Sequence, residues 1–480
     1  MVSIKELTVL NTQTLKDALV IIDQNAMGVC FVVDNNQILV GILTDGDIRR
    51  GLLNNVSIND SVLSVTKNTF FSLPIETENY TILKYITNEI KIIPLIDKKG
   101  VLIDYASIKK IRHIAVASPF LSGNELAYVT DCIKTNWISS QGKYVRDFEE
   151  LFVKYHGGRR SLAVSNGTVA LHLALEALNI GAGDEVLVPD FTFAASVNAI
   201  VYTGATPVLV DVDPLTWNID VTKVAELITS KTKAIIPVHL YGLPCDMEVI
   251  QDLASAHNLL IVEDCAEALG SYSDGKPVGT FGDAATFSFY GNKTITTGEG
   301  GMIVFKDKAV AERAAMLRDH GMQKTRRYWH EEIGYNYRLT NLQAAIGVAQ
   351  FERLDEFVSA KIKFAHFYNE LFSPTGYFQI PVRNEKIINS YWLYTCMVKV
   401  DAPFTRDELI YFLGQKGVET RPVFFPMHIM PPYTGFTKVR LPVSSSLSER
   451  GISFPSSVSL TDLELAHISD MVKSFMNKFS

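Results

Sequence analysis

The residue with the clearest chemical capacity is Lys293. It stands in the run Phe287-Ser288-Phe289-Tyr290-Gly291-Asn292-Lys293-Thr294-Ile295-Thr296-Thr297-Gly298-Glu299-Gly300-Gly301. There an apolar strand runs into a Gly-Asn turn and a glycine-rich segment. A lysine among small and apolar neighbours is partly desolvated and acts as a neutral amine toward a carbonyl; on its own it reads equally as an ordinary surface lysine. Earlier comes Val262-Glu263-Asp264-Cys265-Ala266-Glu267, with Asp264 at a strand's carboxyl end, where open α/β sheets bind ligands. An Asp there can hold a protonated ring nitrogen, or simply cap the next helix. Earlier still, Ser165-Asn166-Gly167-Thr168 follows a strand and opens a helix. The free N–H groups and positive dipole end of such a helix suit a phosphate. The fourth motif, Gly334-Tyr335-Asn336-Tyr337-Arg338-Leu339-Thr340-Asn341, is an aromatic and amide cluster ahead of a helix. In this order, a phosphate-ready helix start, an acid at a strand end and a buried-looking lysine match pyridoxal 5′-phosphate.

These residues need a frame. Strand-like runs at 161–164, 185–188, 207–210, 234–238 and 259–262 alternate with helical stretches, the pattern of a mostly parallel sheet covered by helices. After about residue 370 a strand at 397–400, a helix near 406–414 and a last helix over 461–479 suggest a smaller α/β domain. Residues 1–112 hold two weakly similar units of the βαββα kind. In the first, a helix over 14–24, strands over 29–33 and 38–43 and a helix opening at Ile48 follow one another; in the second, a helix over 82–87 and strands at 92–96 and from 101. The expected domains are therefore 1–112, 118–370 and 371–480.

From about Phe120 to Ser480 the chain resembles the nucleotide-sugar aminotransferases of the DegT/StrS type, within the aspartate aminotransferase (fold-type I) superfamily. The resemblance implies an α/β fold, with a large pyridoxal-phosphate domain and a small C-terminal one. It also implies roles. Lys293 bonds the cofactor and shuttles a proton, and Asp264 pairs with the ring nitrogen. Glu267 stands by the phenolic oxygen, and Phe193 of Phe191-Thr192-Phe193 stacks on the ring. Gly167, Thr168 and Ser288 bind the phosphate. Asn336 reaches the phosphate of a neighbouring subunit, so the active unit is a homodimer or higher homo-oligomer. Lysine at 293 excludes the related sugar 3-dehydratases, which carry His there. The segment around Lys293 and Arg327-Tyr328-Trp329-His330 most resemble the members that aminate C4 of GDP-4-keto-6-deoxy-D-mannose with L-glutamate, yielding GDP-perosamine for O-antigen or another bacterial surface polysaccharide. UDP- and dTDP-linked keto sugars are the alternatives. Candidate contacts to sugar and diphosphate are His320, Tyr328, Trp329, Arg421 and His428, each also readable as packing, an ion pair or a satisfied loop histidine.

The front segment resembles a cystathionine-β-synthase (CBS) pair, through Gly41-Ile42-Leu43-Thr44-Asp45-Gly46-Asp47-Ile48-Arg49-Arg50. In that family the Thr and the Asp three positions later hold an adenine nucleotide, so Thr44 and Asp47 are its candidates here. The second copy has Ile103-Asp104-Tyr105-Ala106 instead, so one nucleotide site is expected, or a packing module without a ligand. A rival from another class is an adenine-nucleotide sensor carrying a non-catalytic enzyme-like domain; the retained set of Lys293, Asp264 and Ser288 argues against it.

The 480-residue chain carries 45 basic and 52 acidic residues, a net charge of −7, with 47% apolar residues. That composition supports a large buried core and gives no electrostatic footprint for nucleic acid or anionic membrane. No apolar run reaches the roughly 18 residues that span a bilayer. The start of the sequence does not read as a signal peptide. Five scattered cysteines without a CxxC pair fit neither a disulfide framework nor a metal cluster. The expectation is a cytoplasmic enzyme.

Overall fold

The computed structural model describes residues 2–479 apart from 68, 78, 88, 108–113, 324 and 438, and only the backbone of 79, 80 and 83. The expected end of the front domain, at 112, lies outside the described residues. Two units emerge: Met1–Ile114 with Tyr411–Val418, and Ala115–Ile410 with Glu419–Ser480.

The first unit contains two three-stranded sheets of one design. In one, β1 (Thr8–Leu10) lies parallel to β2 (Val29–Val33), which pairs antiparallel with β3 (Leu39–Thr44). In the other, β4 (Leu73–Pro74), β5 (Ile92–Ile96) and β6 (Leu102–Ser107) repeat the same directions. The repeat read from the sequence is thus a real structural repeat. Its first strands escaped notice because three and two residues are too short to show alternation. Helix α1 (Leu15–Asn25) starts at a capping box between Thr14 and Asp17, and α2 (Asp45–Leu53) at one between Thr44 and Asp47. The Thr44 cap starts α2 three residues before the expected Ile48. Helix α3 spans Asn79–Tyr85, earlier than expected.

The second unit is built on a seven-stranded sheet. Its strands are β7 (Arg160–Val164), β8 (Glu185–Pro189), β9 (Thr206–Val210), β10 (Thr232–Ile235), β11 (Leu260–Asp264), β12 (Ala284–Ser288) and β13 (Gly301–Phe305). Their order is β7-β13-β12-β11-β10-β8-β9. Every pair is parallel except those of β13, which runs antiparallel to both β12 and β7. All five residues of β7's neighbour β13, and those of β8, are buried, as strands covered on both faces must be. Helix α4 (Gly167–Ala177) is apolar nearly all round, and seven of its eleven residues are buried. Helices α5 (Ala194–Tyr202), α6 (Asn341–Phe351) and α7 (Leu354–Phe372) belong to the same unit. So does an antiparallel sheet of β14 (Phe378–Gln379), β15 (Tyr394–Val398), β16 (Arg421–Pro422) and β17 (Gly451–Phe454), in the order β14-β15-β17-β16. The last helix, α8, is Asp462–Met476. Among the described residues no helix is long and apolar enough to cross a membrane.

Candidate active site

Four strands of the large sheet deliver the chemistry from their carboxyl ends. β11 ends on Asp264, and β12 ends on Ser288, five residues before Lys293. β7 passes through Ser165 and Asn166 into α4, and β8 leads to Phe193. These ends surround a cavity of about 670 Å³ that gathers Gly167, Thr168, Phe193, Asp264, Glu267, Ser288, Lys293 and Arg421.

The lysine is held in a low-dielectric corner. Its side chain is 14% exposed, its Nζ lies 3.8 Å from Glu267 Oε1, and the Trp392 ring centroid is also 3.8 Å away. Burial pushes its proton affinity below the ordinary lysine value, against the pull of the Glu267 and Asp264 carboxylates. Burial also lifts the Glu267 carboxyl to about 7, opposed by Lys293 and by the backbone N–H of Tyr241, which donates to it at 2.8 Å. Asp264 is fixed at both oxygens. Ser196 Oγ donates to Oδ2 at 2.7 Å, and the Ala266 N–H donates to Oδ1 at 3.1 Å. Ser196 in turn meets Thr192 Oγ1 at 3.1 Å.

At the other end of the cavity, the Asn166 side chain accepts from the N–H of Val169 and caps α4. The N–H groups of Gly167 and Thr168, in the first turn, have no partner within the helix. A Cβ on Gly167 would lie 2.8 Å from the Cβ of Ser288. Only glycine lets the helix start approach the end of β12 so closely, with the Ser288 Oγ 3.1 Å from where that Cβ would stand.

Other expected residues sit elsewhere. Asn336 does not line the cavity; its Oδ1 accepts from Arg338 Nε and Nη2, and its backbone bridges to Asp319. Tyr328 lines a second cavity of about 660 Å³, together with Arg318, Asp319, Arg327 and Arg338. Trp329 lies beneath the guanidinium of Arg326, 3.9 Å from its ring centroid. The His320 backbone N–H donates to the Tyr335 carbonyl, and its own carbonyl meets His330 Nδ1. His428 is engaged by buried Asp190, with ring Nδ1 2.7 Å from Oδ2 and its backbone N–H donating to Oδ1 at 2.8 Å. Arg421 lines the cavity but also pairs with Glu419 at 2.8 Å. In the first unit, the Asp47 carboxylate accepts from Thr44, Arg50 and Lys67. Burial pushes this carboxyl up, but those partners hold it well below the usual range.

Sequence reasoning missed Ser196, Tyr241, Trp392 and Phe424. Tyr241 stacks between Trp392 (5.9 Å, 8°) and Phe424 (5.6 Å, 14°), forming an aromatic wall. The one local signal was the non-glycine positive φ of Tyr241 (51°), which a sequence does not display. It also missed a buried group of His239, Glu263 and Cys265 beneath the site. There Glu263 accepts from the N–H groups of Gly279, Phe281 and Gly282 and meets His239 Nε2, while His239 Nδ1 accepts from Cys245 N–H. That network leaves no ring nitrogen for a metal ion.

A weakly basic lysine, a rigid carboxylate at a strand end and anion-ready N–H groups fit an aldehyde, a pyridine nitrogen and a phosphate in turn. On a mostly parallel sheet they define a pyridoxal-phosphate enzyme of fold type I. The chain belongs to the DegT/DnrJ/EryC1/StrS aminotransferase family, whose model matches residues 119–473. A CBS domain model matches residues 2–54. The GDP-perosamine synthase of Escherichia coli O157:H7 is 47% identical over 365 residues, 76% of this chain and 99% of that one. The GDP-perosamine synthase of Caulobacter vibrioides is also 47% identical, over 74% of this chain and 96% of its own. The crystal structure of the aminotransferase TlmJ from Streptoalloteichus hindustanus superposes with a TM-score of 0.72 at 31% identity, covering 76% of this chain and 99% of that one. The protein is a sugar aminotransferase, and pyridoxal 5′-phosphate is its cofactor.

Proposed function

We propose that the enzyme moves the amino group of L-glutamate to C4 of GDP-4-keto-6-deoxy-D-mannose, making GDP-perosamine for a bacterial surface polysaccharide. The observation that carries this reading is the 47% identity to GDP-perosamine synthases across nearly their whole length. The cofactor, when bound, supplies an electron sink that lets a carbon beside nitrogen lose its proton. Lys293 Nζ is the group that takes that proton and returns it to the neighbouring carbon. Asp264, fixed by Ser196 and Ala266, holds the positive charge on the ring nitrogen. Gly167, Thr168 and Ser288 hold the phosphate, Phe193 covers one ring face, and Glu267 sits by the phenolic oxygen. Arg421, a cation on the cavity wall, receives a carboxylate or diphosphate.

In this reading Asn336, Tyr328 and Trp329 serve the site of a second copy, which is why they lie off this chain's own cavity. The front unit takes one adenine nucleotide at Thr44 and Asp47, displacing Arg50 or Lys67 from the Asp47 carboxylate. The test is mass spectrometry of products after incubation with pyridoxal phosphate, L-glutamate and GDP-, UDP- or dTDP-linked 4-keto-6-deoxy sugars. The reading expects an amino product from the GDP-linked ketone alone. Amination of only a UDP- or dTDP-linked sugar would replace the substrate.

A further inference from the structure

Lys361, on α7, is a second buried lysine beside the site. It is 4% exposed, and its ammonium donates to two backbone carbonyls, those of Trp392 (3.0 Å) and Ser456 (2.8 Å). Among the described residues no carboxylate bonds or pairs with it. A buried cation without a counter-charge carries a desolvation cost that a methionine filling the same space would not. Packing alone therefore does not account for a lysine here.

Its two contacts lead to the catalytic lysine. Trp392 is fastened at both ends: its carbonyl accepts from Lys361, and its indole N–H donates at 2.7 Å to the carbonyl of Asn292, the residue before Lys293. Between these anchors, the indole face lies 3.8 Å from Lys293 Nζ. Lys361, Asn292, Lys293 and Ser456 line one narrow crevice. The charged groups facing Lys293 are Glu267 and Asp264, both negative. Lys361 borders the crevice that Lys293 lines.

We propose that Lys361 is a positioning residue of the active site, setting the surroundings of the Lys293 amine through Trp392 and through its own buried charge. Burial pushes the Lys361 ammonium itself down to about 7, so its charge is present in the acidic half of the working range. A positive group near Lys293 disfavours a second positive charge on its nitrogen, and a fixed indole face keeps that nitrogen in one place.

The inference rests on the cofactor site described above, and its test separates the two. Full-length protein loaded with pyridoxal phosphate is titrated from pH 5 to 10 by following the absorbance of the cofactor bonded to Lys293. Lys361→Met removes donor and charge, Lys361→Gln removes the charge but keeps a donor for the Trp392 carbonyl, and Lys361→Arg keeps both. The expected result is a midpoint raised by about half to one pH unit in the Met and Gln variants. It should return close to the wild-type value in the Arg variant. kcat for amination should fall about tenfold in the Met variant with KM within about twofold, as expected when a transition-state contact alone is lost. If Lys361→Met does not fold, Lys361→Gln decides alone. Wild-type midpoints in the folded non-cationic variants, or equal shifts in all three, would overturn the proposal. Absence of any cofactor band in the wild-type protein would instead overturn the site reading itself, and this inference with it.

Discussion

The proposed mechanism puts two demands on Lys293 that pull apart: its nitrogen must be free of a proton to bond an aldehyde, yet carry one to deliver it to carbon. The side chain is buried between an indole face and two carboxylates. Lys293→Ala should keep the fold, as judged by circular dichroism and melting temperature. The protein should then form no borohydride-reducible bond to pyridoxal phosphate and lose transaminase turnover; a variant that keeps both would remove the lysine from the mechanism. Asp264→Asn keeps the shape and loses the charge facing the ring nitrogen. It should lower kcat about a hundredfold or more, seen in steady-state assays. Glu267 acts on the lysine in the direction opposite to Lys361. Its negative charge favours the protonated amine, so Glu267→Gln should move the absorbance midpoint of the bound cofactor downward in pH. An upward shift would show that Glu267 does not face that nitrogen as a carboxylate.

The elements that bring these residues together were legible to different degrees. β7, β8, β11 and the start of α4 stood out in the sequence because largely buried strands are short apolar runs between turn residues. Their ends hold Asp264 and Gly167, so much of the lining of the candidate cavity was readable from motif order. The antiparallel course of β13 was not readable, since an apolar strand looks the same in either direction. The aromatic wall of Tyr241, Trp392 and Phe424 was invisible for another reason. Its members come from distant segments, and apolar residues signal packing before they signal a site. His428, which as a sequence residue suits a substrate contact, has its ring Nδ1 engaged by Asp190. The approach of α4 to β12 makes a sharp test of the element scale. In Gly167→Ala the added methyl would meet the Ser288 side chain at 2.8 Å, so the helix start must retreat from the β12 end. Cofactor affinity should drop at least about tenfold in equilibrium titrations, because N–H donors aimed at a phosphate lose strength quickly with displacement. A melting temperature near wild type would accompany it, and unchanged cofactor affinity would take Gly167 out of the phosphate site.

At the scale of the whole molecule, an aminotransferase family match over residues 119–473 follows a separate front unit. The E. coli synthase is covered over 99% of its length by 76% of this chain, so the first unit is extra to what that enzyme has. The second unit has its own seven-stranded sheet and its own cavity. Cutting after residue 114 should therefore leave a protein that binds pyridoxal phosphate, turns yellow and aminates the keto sugar within about threefold of the full-length rate. What the cut should remove is any response to adenine nucleotides. In the full chain, AMP or ATP should bind with a stoichiometry near one per chain, because the sequence of the second repeat does not repeat the Thr44…Asp47 pair that opens α2 in the first. Thr44→Ala should abolish that binding while leaving basal turnover intact. Calorimetry and transaminase assays on the full chain, the Thr44 variant and the shortened chain measure the two properties separately. Nucleotide bound by the shortened chain would place the site in the catalytic unit. Binding by none of the three, with amination intact throughout, would make the front unit a packing module that took the CBS form without its ligand.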